Sequence, residues 1–267
     1  MTTQSEYDTA LYYEAVIDII GSLMAQCTAV QARAEHAHDF VTWTDMGAQR
    51  RAYLATSETF DPADTAGTAD AIREYGTRLT RKVEASRARL PAHRDPSSYR
   101  LDREQHSAIF TEHIAPETLL GFEPAHQPVA VIVLGTPGSG KTTVIRQLQD
   151  SWNGPPPAVI DPELYLAYHP YSWDLVLADD RNAAEVLMAD ALGWTILAAD
   201  FAVSQRYHVL LEIGTGSPEH TTVFTEIFRN AGYRVELQVV AIPEPISTLH
   251  ALLRYHCRHG NWGAIPL

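Results

Sequence analysis

Apolar residues recur at three- and four-residue intervals through the first third of the chain. Tyr12, Ala15, Val16, Ile19, Ile20, Leu23 and Met24 form one such stripe, the period of a helix packed along one face. A second helix is predicted from Asp45 to about Thr56. A loop follows over Thr56–Thr68, marked by Asp61-Pro62 and Gly67. A third helix, from Ala69 to about Leu90, carries Ile72, Leu79 and Val83 on one face and stops at Pro91 and Asp95-Pro96. Three such helices make a small bundle.

Beyond about residue 105 the pattern changes to short apolar runs separated by helical segments. Val129–Leu134 is continuously apolar, as a parallel strand buried on both faces requires. A helix is predicted from Lys141 to about Ser151, a strand at Ala158–Ile160 and a helix over 180–203. Val209–Leu211 is the third strand, 218–231 a helix, Val235–Ile242 the fourth strand and 246–258 the last helix. This alternation implies an α/β fold, a parallel sheet with helices on both faces. The expected organisation is therefore a helical region over 1–104 and a sheet-containing domain over 105–267.

Charge sharpens this division. Residues 1–105 carry 12 basic and 16 acidic side chains, and residues 106–267 carry 8 and 17. The net charge of −13 argues against a protein that coats nucleic acid. There is no unbroken apolar run of membrane-spanning length, and the N-terminus lacks a basic start and an apolar core. A cytoplasmic protein with no membrane contact is expected. Cys27 and Cys257 offer neither a disulfide framework nor metal-ligand spacing. Lysine occurs only at 82 and 141, against 18 arginines, so Lys141 stands out.

Lys141 lies in Gly135-Thr136-Pro137-Gly138-Ser139-Gly140-Lys141-Thr142, a full match to the phosphate-loop pattern G-x-x-x-x-G-K-[ST]. The match sits between a buried strand and a helix, which is the setting the chemistry needs. Its glycines let backbone N–H groups converge on a phosphate, and the helix N-terminus adds partial positive charge. Lys141 is placed to reach the β- and γ-phosphates of ATP, and the Thr142 hydroxyl to hold Mg²⁺. Gly135, Pro137, Gly138, Ser139, Gly140 and Thr143 complete the expected nucleotide site. No guanine-reading motif accompanies it, and a small-molecule kinase fits better than a GTPase or motor.

A kinase also needs a base, donors for the acceptor and a cation for the moving phosphoryl group. Asp161 and Glu163 follow the second strand, where strand ends face the ligand crevice. Either would serve as base, and Asp161 as a metal ligand. Asp161 would equally cap a helix opening at Pro162. Glu212 and Thr215 follow the third strand and are candidates for substrate contact; Glu212 would equally support the metal, or the segment is an ordinary tight turn. Arg254, with His250 and Arg258 one turn away, is a candidate to balance phosphoryl charge or else a solvated helix residue. His169 before Pro170 is a substrate candidate or a loop-shaping residue.

These residues together resemble the zeta toxin family of phosphate-loop kinases. The resemblance is carried by Ile109-Phe110 through Ile114-Ala115-Pro116, by the phosphate loop, by Val-Ile-Asp-Pro-Glu with His169-Pro170, and by Val240-Ala241-Ile242-Pro243 leading to Arg254-Tyr255. It covers roughly residues 105–260 and implies a phosphate-loop NTPase-type fold that uses ATP and Mg²⁺. The implied reaction phosphorylates UDP-N-acetylglucosamine, as the toxin of a toxin–antitoxin pair. Carried over, the catalytic carboxylate falls on Glu163, the phosphate-contacting arginine on Arg254, and the substrate-binding Glu-Gly-Thr motif near Glu212–Gly216.

The chain departs from that pattern at several positions. Glu163 stands where the family has Asp, and Glu212-Ile213-Gly214-Thr215 has one residue more than Glu-Gly-Thr. Ser217 stands where an Arg is usual, and Ile196 near an expected Glu. Two alternatives therefore remain: an ATP-binding regulatory module with weak or lost transfer, and a kinase of another small hydroxyl compound such as an antibiotic. Family toxins are restrained by a separate three-helix antitoxin, so residues 1–104 are expected either to act as an antitoxin in cis or to be a structural extension. A covalent link would raise such an inhibitor's effective concentration to about millimolar.

Overall fold

The computed structural model describes residues 4–87, 99–178, 180–214 and 218–257. The chain divides into two compact units that do not follow its linear halves. One holds residues 1–100, 166–189 and 250–267; the other holds 101–165 and 190–249.

The first unit is built on α1 (Gln4–His36), α2 (Phe40–Ser57) and α3 (Thr65–Arg87). Ala15, Val16, Ile19, Ile20, Leu23, Met24 and Cys27 of α1 are almost wholly buried, with Leu54 of α2 and Leu79 and Val83 of α3. Each buried aliphatic side chain of this size contributes about 1.5–3 kcal/mol. The helix α1 is apolar on more than one side because it has more than one neighbour. It packs on α2 and α3, and also on segment 166–178. There the Thr28 hydroxyl donates to the Ala167 carbonyl at 2.7 Å. Arg33 pairs with Asp174 at 2.9 Å, and the Trp173 indole donates to Ser86 at 3.0 Å. Arg50 is buried, donates to Gln31 at 2.6 Å and stacks over Tyr168.

The second unit opens with α4 (Arg103–Ile109), a π-helical turn (Phe110–Ile114) and α5 (Ala115–Thr118). The start of α4 is fixed by a capping box in which the Asp102 side chain and Gln105 bond each other's backbone. Then come β1 (Val129–Gly135), α6 (Lys141–Asp150), β2 (Ala158–Ile160) and α7 (Pro162–Tyr165). The 3₁₀ turn Leu166–Tyr168 and α8 (Ser172–Ala178) belong to the first unit. The helix α9 (Asp180–Gln205) begins in the first unit and ends in the second. The chain continues through β3 (Val209–Gly214), α10 (Pro218–Asn230) and β4 (Arg234–Val240). It closes with α11 (Glu244–Cys257), whose last turns fall in the first unit.

Among the described residues four strands form one parallel sheet in the order β2-β3-β1-β4. Central β1 is buried throughout, in keeping with its unbroken apolar run. Val129, Val131, Val133 and Leu210 pack on Ile145 of α6, while α10 lies against β1 and β4. The result is the α/β parallel sheet expected from the strand–helix alternation, with the phosphate-loop architecture that the family resemblance implies. At the sheet edge, β4 leaves Leu237 and Val239 exposed.

Several features differ from the sequence expectations. The helix α2 starts five residues earlier than Asp45, because Asp39 caps it and accepts the Thr42 N–H at 3.1 Å. Helical segments at 103–118 and 172–178 were not expected, and the helix opening at Pro162 was weighed only as the alternative role of Asp161. Two stretches, Ala10–His36 and Val186–Gln205, are long and apolar enough to cross a membrane by length and composition. Polar residues interrupt both, so neither is an unbroken apolar run. Within the protein 72% of the first is buried, as in the core helix of a bundle. The Cys27 thiol is fully buried, and burial pushes its pKa up to about 11, so it stays protonated.

Candidate nucleotide site

The loop after β1 is shaped by its glycines. Gly138 and Gly140 adopt positive φ of 75° and 93°, a region costly for side-chain-bearing residues. At Gly135 a Cβ would come within 2.3 Å of Ser139 Oγ and 3.0 Å of the Val240 carbonyl. The Ser139 N–H returns to the Thr136 carbonyl at 3.1 Å and closes the turn. The first N–H groups of α6 then point into the loop, where a helix has no internal acceptors for them.

Lys141 and Thr142 open α6, and Lys141 is 6% exposed. The Lys141 ammonium donates to the Thr136 carbonyl at 3.3 Å and lies 3.5 Å from Glu212 Oε1. The Thr142 hydroxyl donates to Glu212 Oε2 at 3.3 Å. Glu212, 4% exposed near the end of β3, therefore touches both functional side chains of the loop. Ser139 Oγ and Thr143 Oγ1 are buried with no hydrogen-bond partner in the structure. Buried hydroxyls without partners are costly; Ser139 belongs to the loop and Thr143 to the first turn of α6. This donor set fits a bound phosphate, and the Thr142 hydroxyl fits a hard divalent cation.

Asp161 and Glu163 lie at the C-terminal end of β2 and the start of α7. Asp161 Oδ1 accepts the Glu163 N–H at 2.8 Å, the helix-capping geometry weighed from the Asp-Pro-Glu sequence. Burial raises the Asp161 pKa to about 7, with the Glu163 charge adding to the rise. Backbone hydrogen bonds from Glu163 and Leu164, and the Lys141 charge, pull the other way. Glu163 itself is exposed. Lys141, Thr142 and Glu212 form one contiguous group, and Asp161 feels the Lys141 charge.

Two other sequence candidates lie in the first unit. His169 is fully buried, and its Nδ1 accepts the Tyr171 N–H at 3.2 Å, so it shapes its own turn. Arg254 of α11 pairs with two carboxylates of α1: Nη1 donates to Glu14 Oε2 at 3.1 Å, and Nε lies 2.7 Å from Asp18 Oδ2. Glu14 is buried. The sequence reading missed Glu14 and Asp18. Their signal was a pair of acids four residues apart inside an otherwise apolar helix, which calls for a buried cation. Thr215, Gly216, Ser217 and Arg258 lie outside the described residues.

Comparisons with known proteins show the family of the chain. The family model described as Zeta toxin matches residues 116–264, more than half of the chain. The chain is similar to Toxin PezT of Streptococcus pneumoniae serotype 4, 27% identical over 135 residues that make up 51% of this chain and 53% of that protein. It is also similar to Toxin zeta of Streptococcus pyogenes, 25% identical over 146 residues, 54% and 50% of the two chains. The chain thus spans about half the length of the curated relatives it matches. In fold it is similar to a structure from a molecular and structural characterization of the PezAT chromosomal toxin–antitoxin system of Streptococcus pneumoniae. That likeness has a TM-score of 0.53 at 22% identity and covers 59% of this chain and 64% of the other. By its phosphate loop, its parallel sheet and its family match, the chain belongs to the zeta toxin family.

Proposed function

We propose that this protein is an ATP-dependent kinase that transfers the γ-phosphoryl group to a hydroxyl of a nucleotide sugar, UDP-N-acetylglucosamine, as the toxin of a toxin–antitoxin system. The observation that carries this reading is the complete phosphate loop with Lys141 buried and Thr142 half-buried at its base. Lys141 binds the β- and γ-phosphates, while the loop amides and the Ser139 and Thr143 hydroxyls hold phosphate oxygens. Mg²⁺ bound at Thr142 would neutralise phosphate charge. The acceptor oxygen bonds to the γ-phosphorus as the bond to the β–γ bridging oxygen breaks. The acceptor proton passes to Glu163 or Asp161, and ADP leaves. A carboxylate with a pKa near 7, as at Asp161, is well matched to proton transfer at neutral pH. Arg254 balances the charge on the transferred group. A kinase that uses ATP and a nucleotide sugar would act in the cytoplasm.

The departures at Glu163, Ile196 and Glu212 favour one other reading, a kinase of a different small hydroxyl compound. The test is incubation with Mg·ATP and separate acceptors, UDP-N-acetylglucosamine first, followed by mass spectrometry. One added phosphoryl group on the nucleotide sugar is expected. Phosphorylation of another hydroxyl compound instead would replace the acceptor, and ATP binding without transfer to any acceptor would leave a regulatory module.

The N-terminal helices fit a restraint in cis. The Glu14 and Asp18 carboxylates of α1 already engage Arg254, the cation this reading needs for catalysis.

A further inference from the structure

In the second unit the strand β4 pairs with β1 on one side and, among the described residues, with no strand on the other. The Arg234 N–H donates to the Pro128 carbonyl. In a parallel ladder the residues that bond to a given neighbour alternate. Glu236, Gln238 and Val240 therefore also turn their backbone groups toward β1, while Val235, Leu237 and Val239 turn theirs to the free edge. Side chains alternate between the faces as well. Val131 and Val133 lie on the α6 face, and their partners in register are Glu236 and Gln238. Val235, Leu237 and Val239 share the opposite face, where Leu237 and Val239 are more than half exposed.

Sheet edges are commonly guarded by short length, proline, lysine or a bulge. The other edge, β2, is three residues long and lies between prolines. The strand β4 is seven residues long, and positions 235, 237 and 239 carry no such guard. Arg234 stands at its first residue and is paired with Glu236 at 3.0 Å.

The free edge is also nearly symmetric, because Val235-Glu236-Leu237-Gln238-Val239 reads almost alike in both directions. An antiparallel copy with a two-fold axis at Leu237 sets Val235 against the partner's Val239, and Leu237 against the partner's Leu237. In each such pair the backbone groups of both residues point outward, so each is a hydrogen-bonded pair of an antiparallel ladder. An axis displaced along the strand leaves an outward residue of β4 without a counterpart in the other β4. On the α6 face the same axis sets Gln238 against the partner's Glu236, so no like charges stand opposite each other.

We propose that β4 is a homodimer interface: a second copy of this chain pairs antiparallel along β4 about Leu237 and joins the two sheets into one. Two-fold pairing uses both free edges and therefore stops at the dimer. The two β4 strands run in opposite directions, so the phosphate loops, at the C-terminal ends of the β1 strands, face opposite ends of the joined sheet. Dimerisation needs neither nucleotide nor acceptor. A contact built on one strand edge is small, so the dimer is expected to form reversibly.

The experiment is sedimentation velocity of the full chain from about 1 to about 100 µM, for the wild type, Leu237→Lys and Gln238→Lys. The wild type is expected to pass from monomer to dimer with concentration. Leu237→Lys brings two ammonium groups together at the axis and is expected to weaken the dimer roughly tenfold or more. Gln238→Lys sets an ammonium opposite the partner's Glu236 and is expected to tighten it several-fold. Both positions are exposed, so unchanged melting temperatures are expected; a variant that melts early is replaced by Leu237→Arg or Gln238→Arg. A wild type that stays monomeric throughout would overturn the inference. So would a dimer indifferent to Leu237→Lys, which would place the contact elsewhere, or a Gln238→Lys dimer no tighter than the wild type, which would contradict the register. Amide hydrogen exchange at Leu237 and Val239 is expected to be fast in the dilute monomer and slow in the dimer. Slow exchange in the monomer would mean that another segment of the same chain covers this edge, and would overturn the inference as well.

Discussion

At the scale of single residues, His208 provides a clean electrostatic prediction. Its Nδ1 accepts the Val129 N–H at 3.1 Å, and its carbonyl accepts the Ala158 N–H at 2.8 Å. Burial lowers the His208 pKa, and the Arg234 charge adds to the effect. The folded protein therefore binds this proton less readily than the unfolded chain. The stability His208 contributes is fully present above the unfolded value of about 6.5 and is lost as pH falls through it toward the lower folded value. Thermal melts from pH 7.5 to 5.5 are expected to show a steeper loss for the wild type than for His208→Gln; identical slopes would contradict this. Lys141 and Thr142 stand out in the sequence because the phosphate-loop pattern is encoded by local spacing. The partner of Glu212 was not legible. The third strand was expected to end at Leu211, so no strand alternation reached the glutamate. Glu14 and Asp18 were hidden for a different reason: their partner Arg254 is 240 residues from Glu14.

At the scale of elements, apolar periodicity located the long helices and all four strands, and it failed where capping or packing sets the outcome. Ala158–Ile160 was read with its observed ends, because Pro155-Pro156-Pro157 bounds it before and Pro162 after. The helix α3 begins at Thr65, inside the expected loop. There Asp64 accepts the Gly67 N–H at 2.9 Å, a local cap stronger than the turn signal of Gly67. The region 103–118 went unread as helix because its apolar residues do not fall on one stripe. The Asp102–Gln105 capping box was its sequence signature. His106 then stacks on Trp194 with centroids 4.9 Å apart, and the Trp194 indole donates to the His106 carbonyl at 2.9 Å.

At the scale of the molecule, the linear boundary near residue 105 captures composition better than it captures packing. Segment 166–178 joins the N-terminal helices because Thr28, Arg33 and Ser86 bond it, and the end of α11 joins them through Glu14 and Asp18. Removing residues 1–100 would strip Arg50 from buried Tyr168 and Ser86 from buried Trp173. A restraint in cis is therefore better tested by charge than by truncation. The Glu14→Gln/Asp18→Asn double variant removes the acids and keeps their volume. If α1 restrains the kinase by holding Arg254, turnover with Mg·ATP and acceptor is expected to rise several-fold while the melting temperature falls, since breaking a buried ion pair destabilises. A lower melting temperature with unchanged or reduced turnover would mean that the pair only holds the fold together.

The central claim is that the loop over 135–142 grips the phosphates of ATP through its amides and Lys141. Isothermal titration of the full chain with Mg·ATP, for the wild type and Lys141→Ala, tests it most directly. The account predicts saturable one-site binding by the wild type and a loss of at least tenfold in Lys141→Ala, with both proteins folded by their melting curves. No heat of binding in the wild type, or equal affinity in the two proteins, would contradict it.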